Sequence, residues 1–197
     1  RRGRRARAAA VVLGASSDLV DRARRRGARD ARLAPVAIPM PWAAEGAEAA
    51  EPPVPAGIAA GERKSHKARA ELGAVDRPLV LVVGRLEPGQ GYEPLLDAVR
   101  QWRTLDPQPM LAIAGEGSLR AELRRRIETE QLPVVMLGRR DDVPELLAAA
   151  DLVVLPSRWE ARSLIAQEAL RAGVPLVATD VGGTHELVGA AAELVPY

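Results

Sequence analysis

The feature that most constrains the fold is a regular alternation of short apolar runs with longer helical segments in the second half of the chain. Continuous apolar runs are typical of strands that are buried on both faces of a sheet. The predicted strands are Pro78–Gly84, Pro109–Ala114, Val134–Leu137, Leu152–Leu155 and Pro175–Thr179. The predicted helices between and after them are Tyr92–Arg103, Ser118–Glu130, Val143–Ala150 and Leu164–Ala172, with a helical turn near Glu186. Strands that alternate with helices of this length predict right-handed βαβ units, and hence an α/β fold with a Rossmann-like open parallel sheet and helices on both faces.

The first third of the chain has a different organisation. Ala8–Gly14 predicts a strand, a serine or aspartate near Ser16 can cap a helix that Gly27 ends, and Arg32–Ile38 predicts a second strand. Prolines at five positions between 39 and 61 predict a linker, which a helix over 62–72 follows. We therefore interpret 1–38 as the end of a preceding domain, 39–74 as linker and connecting helix, and 75–197 as a domain truncated at its C-terminus. The fold is expected to be incomplete at both ends.

The amino-acid composition excludes several classes of protein. The chain has no cysteine, which excludes disulfides and Cys-ligated metal sites. No apolar run approaches the roughly 18 residues of a membrane span, so a soluble, intracellular, cytoplasmic protein is expected. Eleven arginines and three aspartates give residues 1–32 a charge of +8 within a net charge of +2. Such a basic segment suits nucleic acid or an anionic membrane, or is simply the solvated face of a helix. Because no aromatics interleave with the arginines, we expect no nucleic-acid partner, whereas a peripheral contact with the inner face of the cell membrane stays open.

Ligands of an open parallel sheet bind beyond the carboxyl ends of its strands. This rule selects the turns Gly84–Gly91, Gly115–Ser118, Gly138–Asp142 and Pro156–Ser163. In the first turn, glycines allow close approach of a ligand and Arg85 could clamp a phosphate, although a tight turn with a surface arginine fits equally well. The second turn is better explained by a helix cap at Ser118 than by a dinucleotide-binding loop, because a third glycine is missing.

Two carboxylates are the most informative residues. Glu160 lies in a loop just after a strand, and Glu168 lies eight residues later in a helix whose side chains lean back toward its start. The helix opens with Ser163, Leu164 and Ile165, whose free backbone N–H groups form an anion site. Two carboxylates beside an anion site suit a nucleotide sugar, while an exposed loop acid and a helix-face acid remain the alternative. His66 and His185 are too isolated for a metal site or a catalytic triad.

The motifs together resemble one family. They are the Val83–Leu86 turn with Gly91, Gly115-Glu116-Gly117, the block from Pro156 to Ala169, and the tail from Ala172 to Leu187. In order and spacing they resemble the C-terminal, donor-binding half of GT-B retaining glycosyltransferases of family 4, the group 1 glycosyltransferases, over roughly residues 75–195. The resemblance implies a metal-independent, hexosyltransferase-type enzyme without a cofactor. Its implied donor is a UDP- or GDP-sugar, and its acceptor a sugar, a lipid or a small molecule.

The resemblance also implies roles for individual residues. Glu160 and Glu168 match the acids of the family's E-x7-E motif, so Glu160 would contact donor-sugar hydroxyls and support the transition state, and Glu168 would hold the ribose. Arg85 would neutralise the diphosphate as it leaves, and the Leu164 and Ile165 amides would meet phosphate. The implied donor-binding set is completed by Gly84, Gln90, Gly138, Arg139, Arg140 and Ser163, of which the Gly138–Arg140 segment would lie along the nucleobase.

Two departures from the family pattern keep other functions open. Gln90 stands where the family usually has a phosphate-binding lysine, and Ala161 replaces a common glycine. A GT-B nucleotide-sugar epimerase is one alternative, and a non-catalytic nucleotide-sugar binding module is another. Because the GT-B reaction centre lies between two domains, this chain alone is expected to bind donor but scarcely to turn it over.

Overall fold

A computed structural model describes residues 2–38 and 66–197. The predicted linker over 39–61 and the start of the helix predicted over 62–72 lie outside the described residues. The helices are α1 (Arg2–Ala8), α2 (Ser17–Arg25), α3 (66–72), α4 (Tyr92–Gln101), α5 (Arg120–Glu130), α6 (Val143–Ala149), α7 (Leu164–Ala172) and α8 (Thr184–Val188). The strands are β1 (Val12–Gly14), β2 (Ala31–Leu33), β3 (Leu79–Val83), β4 (Met110–Ala114), β5 (Val134–Gly138), β6 (Leu152–Leu155), β7 (Leu176–Thr179) and β8 (Glu193–Val195).

Six strands form one parallel sheet in the order β5-β4-β3-β6-β7-β8. The register aligns Leu79 of β3 with Met110 of β4, and Val80 with Leu152 of β6 on the other side. The predicted α/β fold is therefore confirmed. Strand β8 was not predicted, because its three residues carry no apolar run and are exposed or only half-buried at the sheet edge.

Each face of the sheet carries its own hydrophobic core. Leu79 and Leu81 of β3 pack in the cluster that α6 and α7 cover, whereas Val80 and Val82 pack in the cluster that α4 and α5 cover. The continuous apolar run of β3 is explained by this, because successive side chains point to opposite faces and both faces are buried. Fully burying each such side chain stabilises the fold by roughly 1.5–3 kcal/mol.

Residues 2–38 form a smaller unit, in which β1 and β2 pair in parallel with Val12 opposite Ala31. α2 connects the two strands and ends where predicted, because Gly27 adopts a φ of 90° that suits glycine. The arginine-rich helix α1 was not predicted, since its sequence has no apolar periodicity. Within 2–38 and 66–197, no helix combines the length and apolar character needed to cross a membrane.

The predicted helix cap at Ser118 is wrong. Helix α5 begins at Arg120, and Ser118 turns its polar groups to the neighbouring turn instead. The Ser118 amide and hydroxyl donate to the Glu87 carboxylate at 3.1 and 2.8 Å. These two hydrogen bonds lower the pKa of Glu87 below its ordinary value, and they join the turn after β4 to the turn after β3.

Candidate functional site

The strand order defines where a ligand crevice opens. The chain moves from β3 outward to β4 and β5, and then returns to place β6 on the opposite side of β3. Connections therefore diverge from the carboxyl ends of β3 and β6, which is the point at which open α/β sheets bind their ligands. The loops at this point are 84–91 and 156–163, and they carry Arg85, Gln90 and Glu160.

These two loops touch each other through main-chain atoms. Gly91 has a φ of 76°, and a Cβ at this position would lie 1.7 Å from the carbonyl oxygen of Pro156. The Arg158 amide donates to the carbonyl of Gly89 at 2.9 Å. The contact holds the two sides of the crevice at a fixed separation.

The turns after β3, β4 and β5 are also joined through their backbones. The Leu86 amide donates to the Glu116 carbonyl at 2.9 Å, and the Gly115 amide donates to the Gly138 carbonyl at 2.7 Å. A Cβ on Gly117 would lie 2.3 Å from the carbonyl oxygen of Leu86. The Gly115-Glu116-Gly117 segment is thus a turn built for close packing against its neighbour.

Glu160 is half-buried in the loop after β6. Burial raises the pKa of its carboxyl above the ordinary value, while hydrogen bonds from the Ala161 backbone and the Ser157 side chain and the charge of Arg85 oppose that rise. The Glu160 carbonyl accepts a hydrogen bond from the Gly183 amide at 2.8 Å. A carboxylate with a raised pKa and a nearby cation in a crevice is a candidate for chemistry.

Arg85 and Gln90 lie across the crevice, in the loop after β3. The Arg85 side chain is exposed and makes no hydrogen bond or ion pair with another residue of the described segments, so its guanidinium is available to a ligand. The Gln90 side-chain oxygen lies 3.9 Å from the position that a Cβ on Gly84 would occupy. Gly84, Arg85 and Gln90 therefore share one turn, as the sequence analysis expected.

The start of α7 offers backbone donors. The buried Ser163 hydroxyl accepts from the Ala166 amide at 3.2 Å, and the Ser163 carbonyl accepts from the Gln167 amide at 3.4 Å. The amides of Leu164 and Ile165 have no partner among the residues that the structure describes. Ser163, expected to bind donor, caps the helix with its hydroxyl and leaves two N–H groups for an anion.

Glu168 occupies the second turn of α7. It lies four residues after the exposed Leu164 and hence on the same face of the helix, whereas Ala166 and Ala169 face the core. Its half-exposed carboxylate forms no hydrogen bond or ion pair with any other described side chain. Because helix side chains lean toward the N-terminus, we expect the Glu168 carboxylate to point along α7 toward the start of the helix.

The three residues Gly138, Arg139 and Arg140 at the end of β5 differ in burial and in their partners. Gly138 is buried with a φ of 67°, and its carbonyl is occupied by Gly115. The exposed Arg139 pairs with Asp141 at 3.6 Å. The Arg140 Nε donates to Asp142 at 2.7 Å, and this side chain lines a groove of about 380 Å³ against α3. Any role of this segment at the ligand edge therefore belongs to its backbone and to Arg139.

Comparison with known proteins decides the family. Residues 64–195 match the family model described as Glycosyl transferases group 1, which covers more than half of the chain. The chain belongs to this family. Its Glu160 loop, its glycine turns and its α7 N-terminus all lie within the matched range.

Curated relatives of this group 1 glycosyltransferase chain are longer proteins. The putative teichuronic acid biosynthesis glycosyltransferase TuaC of Bacillus subtilis is 30% identical over 184 residues, which is 92% of this chain and 41% of that protein. The alpha-D-kanosaminyltransferase of Streptomyces kanamyceticus is 30% identical over 131 residues, 64% of this chain and 34% of that protein. The chain thus spans about two fifths or less of these relatives.

Solved structures support the same fold. The Anabaena HepE structure in complex with UDP and glucose has 25% identity and a TM-score of 0.75, covering 95% of this chain and 50% of that one. The lipopolysaccharide glycosyltransferase WaaG has 21% identity and a TM-score of 0.70, covering 93% and 48%, and shows the fold alone. The chain corresponds to about half of each of these GT-B structures.

Sequence reasoning missed the residues that bring the N-terminal unit onto the crevice of this family member. Asp18 of α2 accepts a hydrogen bond from the Trp159 indole, and Glu186 of α8 accepts one from the Ser17 amide. No local pattern could have paired these residues, because each pair is separated by well over a hundred positions.

The described segments hold no group of three or more side chains that could bind a metal ion. The His185 Nδ1 atom lies 3.6 Å from the Asp180 carboxylate. His66 lies on α3, far from His185 in the sequence. Neither histidine is joined to Glu160 or Arg85.

Proposed function

We propose that this chain is the donor-binding half of a retaining glycosyltransferase of family 4, which transfers a sugar from a UDP- or GDP-sugar to a sugar, lipid or small-molecule acceptor. The observation that carries the proposal is the meeting of three groups at the point where β3 and β6 diverge. These are the half-buried Glu160, the unpaired Arg85 and the free amides at the start of α7.

The diphosphate is assigned to Arg85 and the start of α7. A helix N-terminus carries a partial positive charge, and the Leu164 and Ile165 N–H groups are unoccupied. Arg85 adds a full charge and a bidentate donor. Together they stabilise the negative charge that builds on the diphosphate as the sugar departs. No step requires a metal ion.

The remaining site residues are assigned to the donor sugar and to the nucleoside. Glu160 faces the donor sugar, where its carboxylate accepts from hydroxyls and stabilises the positive charge that develops on the ring. Glu168 accepts from the ribose hydroxyls. The base lies along the backbone of Gly138, Arg139 and Arg140, after the edge strand β5. Gly84 and Gln90 line the phosphate side.

The known relatives support a nucleotide sugar as the donor, but they do not indicate one class of acceptor. HepE has been solved with UDP, with UDP and glucose, and with UDP-glucose. The curated relatives are named for different products, from kanosaminyl transfer to glycogen synthesis. We assign 1–38 to the end of an acceptor-side domain, 39–74 to a linker and connecting helix, and 75–197 to the donor domain. The protein is placed in the cytoplasm, at the inner membrane face if its acceptor is a lipid.

Replacing Glu168 with alanine tests the nucleotide site. Hydrogen bonds to a charged group contribute about 1.5–3 kcal/mol, so affinity for free nucleotide should fall about tenfold or more. Isothermal titration calorimetry with UDP and with GDP measures the loss and identifies the base. Glu122→Ala, at an exposed acid on α5, is the control and should bind like the unmodified chain. If the unmodified chain binds neither nucleotide, the proposed function is wrong.

A non-catalytic binding module is the second candidate, and Gln90 is the observation that favours it. Lysine at this position would add one charge-assisted contact to the diphosphate, so Gln90→Lys should tighten UDP binding about tenfold. The decisive measurement compares sugar transfer by both forms of the full-length protein. Robust transfer with Gln90 excludes the module, whereas transfer that appears only with lysine supports it.

A further inference from the structure

The N-terminal unit contacts the crevice through a small polar interface. We name it the α2 interface and define it as Ser16, Ser17 and Asp18 on one side and Trp159 and Glu186 on the other. The Trp159 Nε1 donates to Asp18 Oδ2 at 3.1 Å, and the Ser17 amide donates to Glu186 Oε2 at 3.0 Å. The first contact reaches the loop after β6, and the second reaches α8, the helix that follows β7.

Asp18 is the central acceptor of the α2 interface. The Ser16 hydroxyl donates to its other carboxylate oxygen at 2.5 Å, and the Arg22 guanidinium lies over the Trp159 ring at 5.8 Å from the centroid. Burial by itself would raise the pKa of Asp18, but hydrogen bonds from Ser16, Trp159 and the Leu19 backbone lower it below the ordinary value. Asp18 is therefore an ionised acceptor that fixes the indole of the residue immediately before Glu160.

Glu186 reaches the same loop by a second route. It follows Gly182 and Gly183, which pack directly on the backbone of the Glu160 loop. The Gly183 amide donates to the Glu160 carbonyl at 2.8 Å, and a Cβ on Gly182 would lie 2.0 Å from that oxygen. Glu186 thus anchors the segment that supports Glu160 to the first turn of α2.

The far end of the Glu160 loop is tied to the N-terminal unit as well. The Val36 carbonyl accepts from Arg162 Nε at 3.0 Å and from Gln167 Nε2 at 3.2 Å. The Ile38 amide donates to Gln167 Oε1 at 3.2 Å. The loop that holds Glu160 is therefore held on both flanks by residues 16–38, although Glu160 itself contacts none of them in the hydrogen bonds of the described segments.

We propose that Asp18 and Glu186 are positioning residues, through which the N-terminal unit sets the place of the Glu160 carboxylate. This inference rests on the proposed function, because it concerns the acid that faces the donor sugar. Arg85 and the α7 amides take no part in the α2 interface. Loss of the interface should therefore weaken recognition of the sugar and leave recognition of the nucleotide nearly unchanged.

The test compares dissociation constants for UDP and UDP-glucose, and for GDP and GDP-mannose, by calorimetry. In Asp18→Ala, the preference for nucleotide sugar over free nucleotide should fall about fivefold, the usual effect of one net hydrogen bond. Affinity for the free nucleotide should stay within about twofold. Asp18→Asn keeps an oxygen acceptor for the indole and should recover part of the preference. Glu186→Ala, which removes the acceptor of the Ser17 amide, should lower the preference as Asp18→Ala does.

Asp21→Asn is the matched control, because Asp21 lies on the same helix and pairs only at the surface with Arg24. It should leave every constant unchanged. A spectroscopic signal separates positioning from general stability. In a spectrum of ¹⁵N-labelled protein, the Trp159 indole N–H should move in Asp18→Ala and not in Asp21→Asn, while the Trp102 indole stays in place.

Each result distinguishes the two proposals. Absence of nucleotide binding by the unmodified chain overturns the proposed function. Normal nucleotide binding with an unchanged sugar preference in Asp18→Ala and Glu186→Ala overturns the positioning role alone. If Asp18→Ala does not fold, Trp159→Phe removes the donor and keeps the ring near Arg22, and the same fivefold fall is required of it.

Discussion

Replacement of Glu160 with glutamine is expected to slow sugar transfer by about 100- to 1,000-fold, while affinity for free UDP stays within about twofold. Glutamine has the shape of glutamate but no negative charge. The loss therefore falls on the transition state, where positive charge develops on the sugar, and not on the nucleotide, which contacts other groups. The full-length protein is assayed with donor and acceptor, and UDP affinity is measured on the same preparations.

The raised pKa of Glu160 has one consequence for the pH dependence of transfer and another for the stability of the fold. If the ionised carboxylate is the active form, the rate of sugar transfer should fall as the pH is lowered through the pKa of Glu160. This fall should begin at a higher pH than it would for a glutamate with an ordinary pKa. Burial also makes the folded protein hold this proton more tightly than the unfolded chain does. Stability contributed by the protonated acid is therefore lost as pH rises through the raised pKa. Glu160→Gln should melt slightly higher than the unmodified protein at neutral pH, although it is less active.

A control and a contrary result complete this prediction. Glu193→Gln changes an exposed acid of β8 and should alter neither rate nor melting temperature. If Glu160→Gln weakens UDP binding as strongly as Glu168→Ala does, the division between a sugar acid and a ribose acid is wrong.

Replacement of Gly91 with alanine is expected to destabilise the protein by about 3 kcal/mol, which is large for a single methyl group. Two effects add at this position. The left-handed backbone, with a φ of 76°, is unfavourable for alanine, and the Cβ would lie 1.7 Å from the carbonyl oxygen of Pro156. The loops 84–91 and 156–163 must separate to relieve this collision, and their separation would also move Arg85 away from Glu160.

Thermal unfolding measures the effect, and a fall of about 6–12 °C is expected for a chain of this size. Gly73→Ala and Gly173→Ala are matched controls. Both glycines have a φ of 70°, with no atom within 4 Å of the position that a Cβ would take. They carry the backbone cost of about 1–2 kcal/mol without the collision. A Gly91→Ala protein that melts no lower than these controls would show that the two loops separate without cost.

The sequence predicted those elements whose own residues determine them. β6 and α7 have the predicted bounds, because a continuous apolar run and a glycine at the helix C-terminus are local signals. β8 was missed because it is a strand only through pairing with β7, with Val177 opposite Glu193. α1 was missed because its arginines carry no pattern of burial.

The candidate site was predictable to the same extent. The strand-end rule predicts from the sequence that Arg85 and Glu160 lie at one edge of the sheet, because it depends only on the order of the elements. It could not show which groups other residues already occupy. Ser163 has the residue type expected of a ligand, but its hydroxyl caps α7, and the Arg140 guanidinium is held by Asp142. The α2 interface was beyond reach, since it depends on how two separate sheets lie against each other.

The turns after β3, β4 and β5 are joined by amide-to-carbonyl bonds, and their spacing depends on glycines that have no side chain to vary. The backbone bonds of this frame do not depend on the exposed side chains of Glu116 and Arg139, which it also carries. Substitution at these positions can alter which donor is accepted while the main chain beneath stays in place. Under the proposed function, we therefore expect donor preference to diverge among proteins that share this frame, so that overall sequence identity is a poor guide to the sugar that each of them transfers.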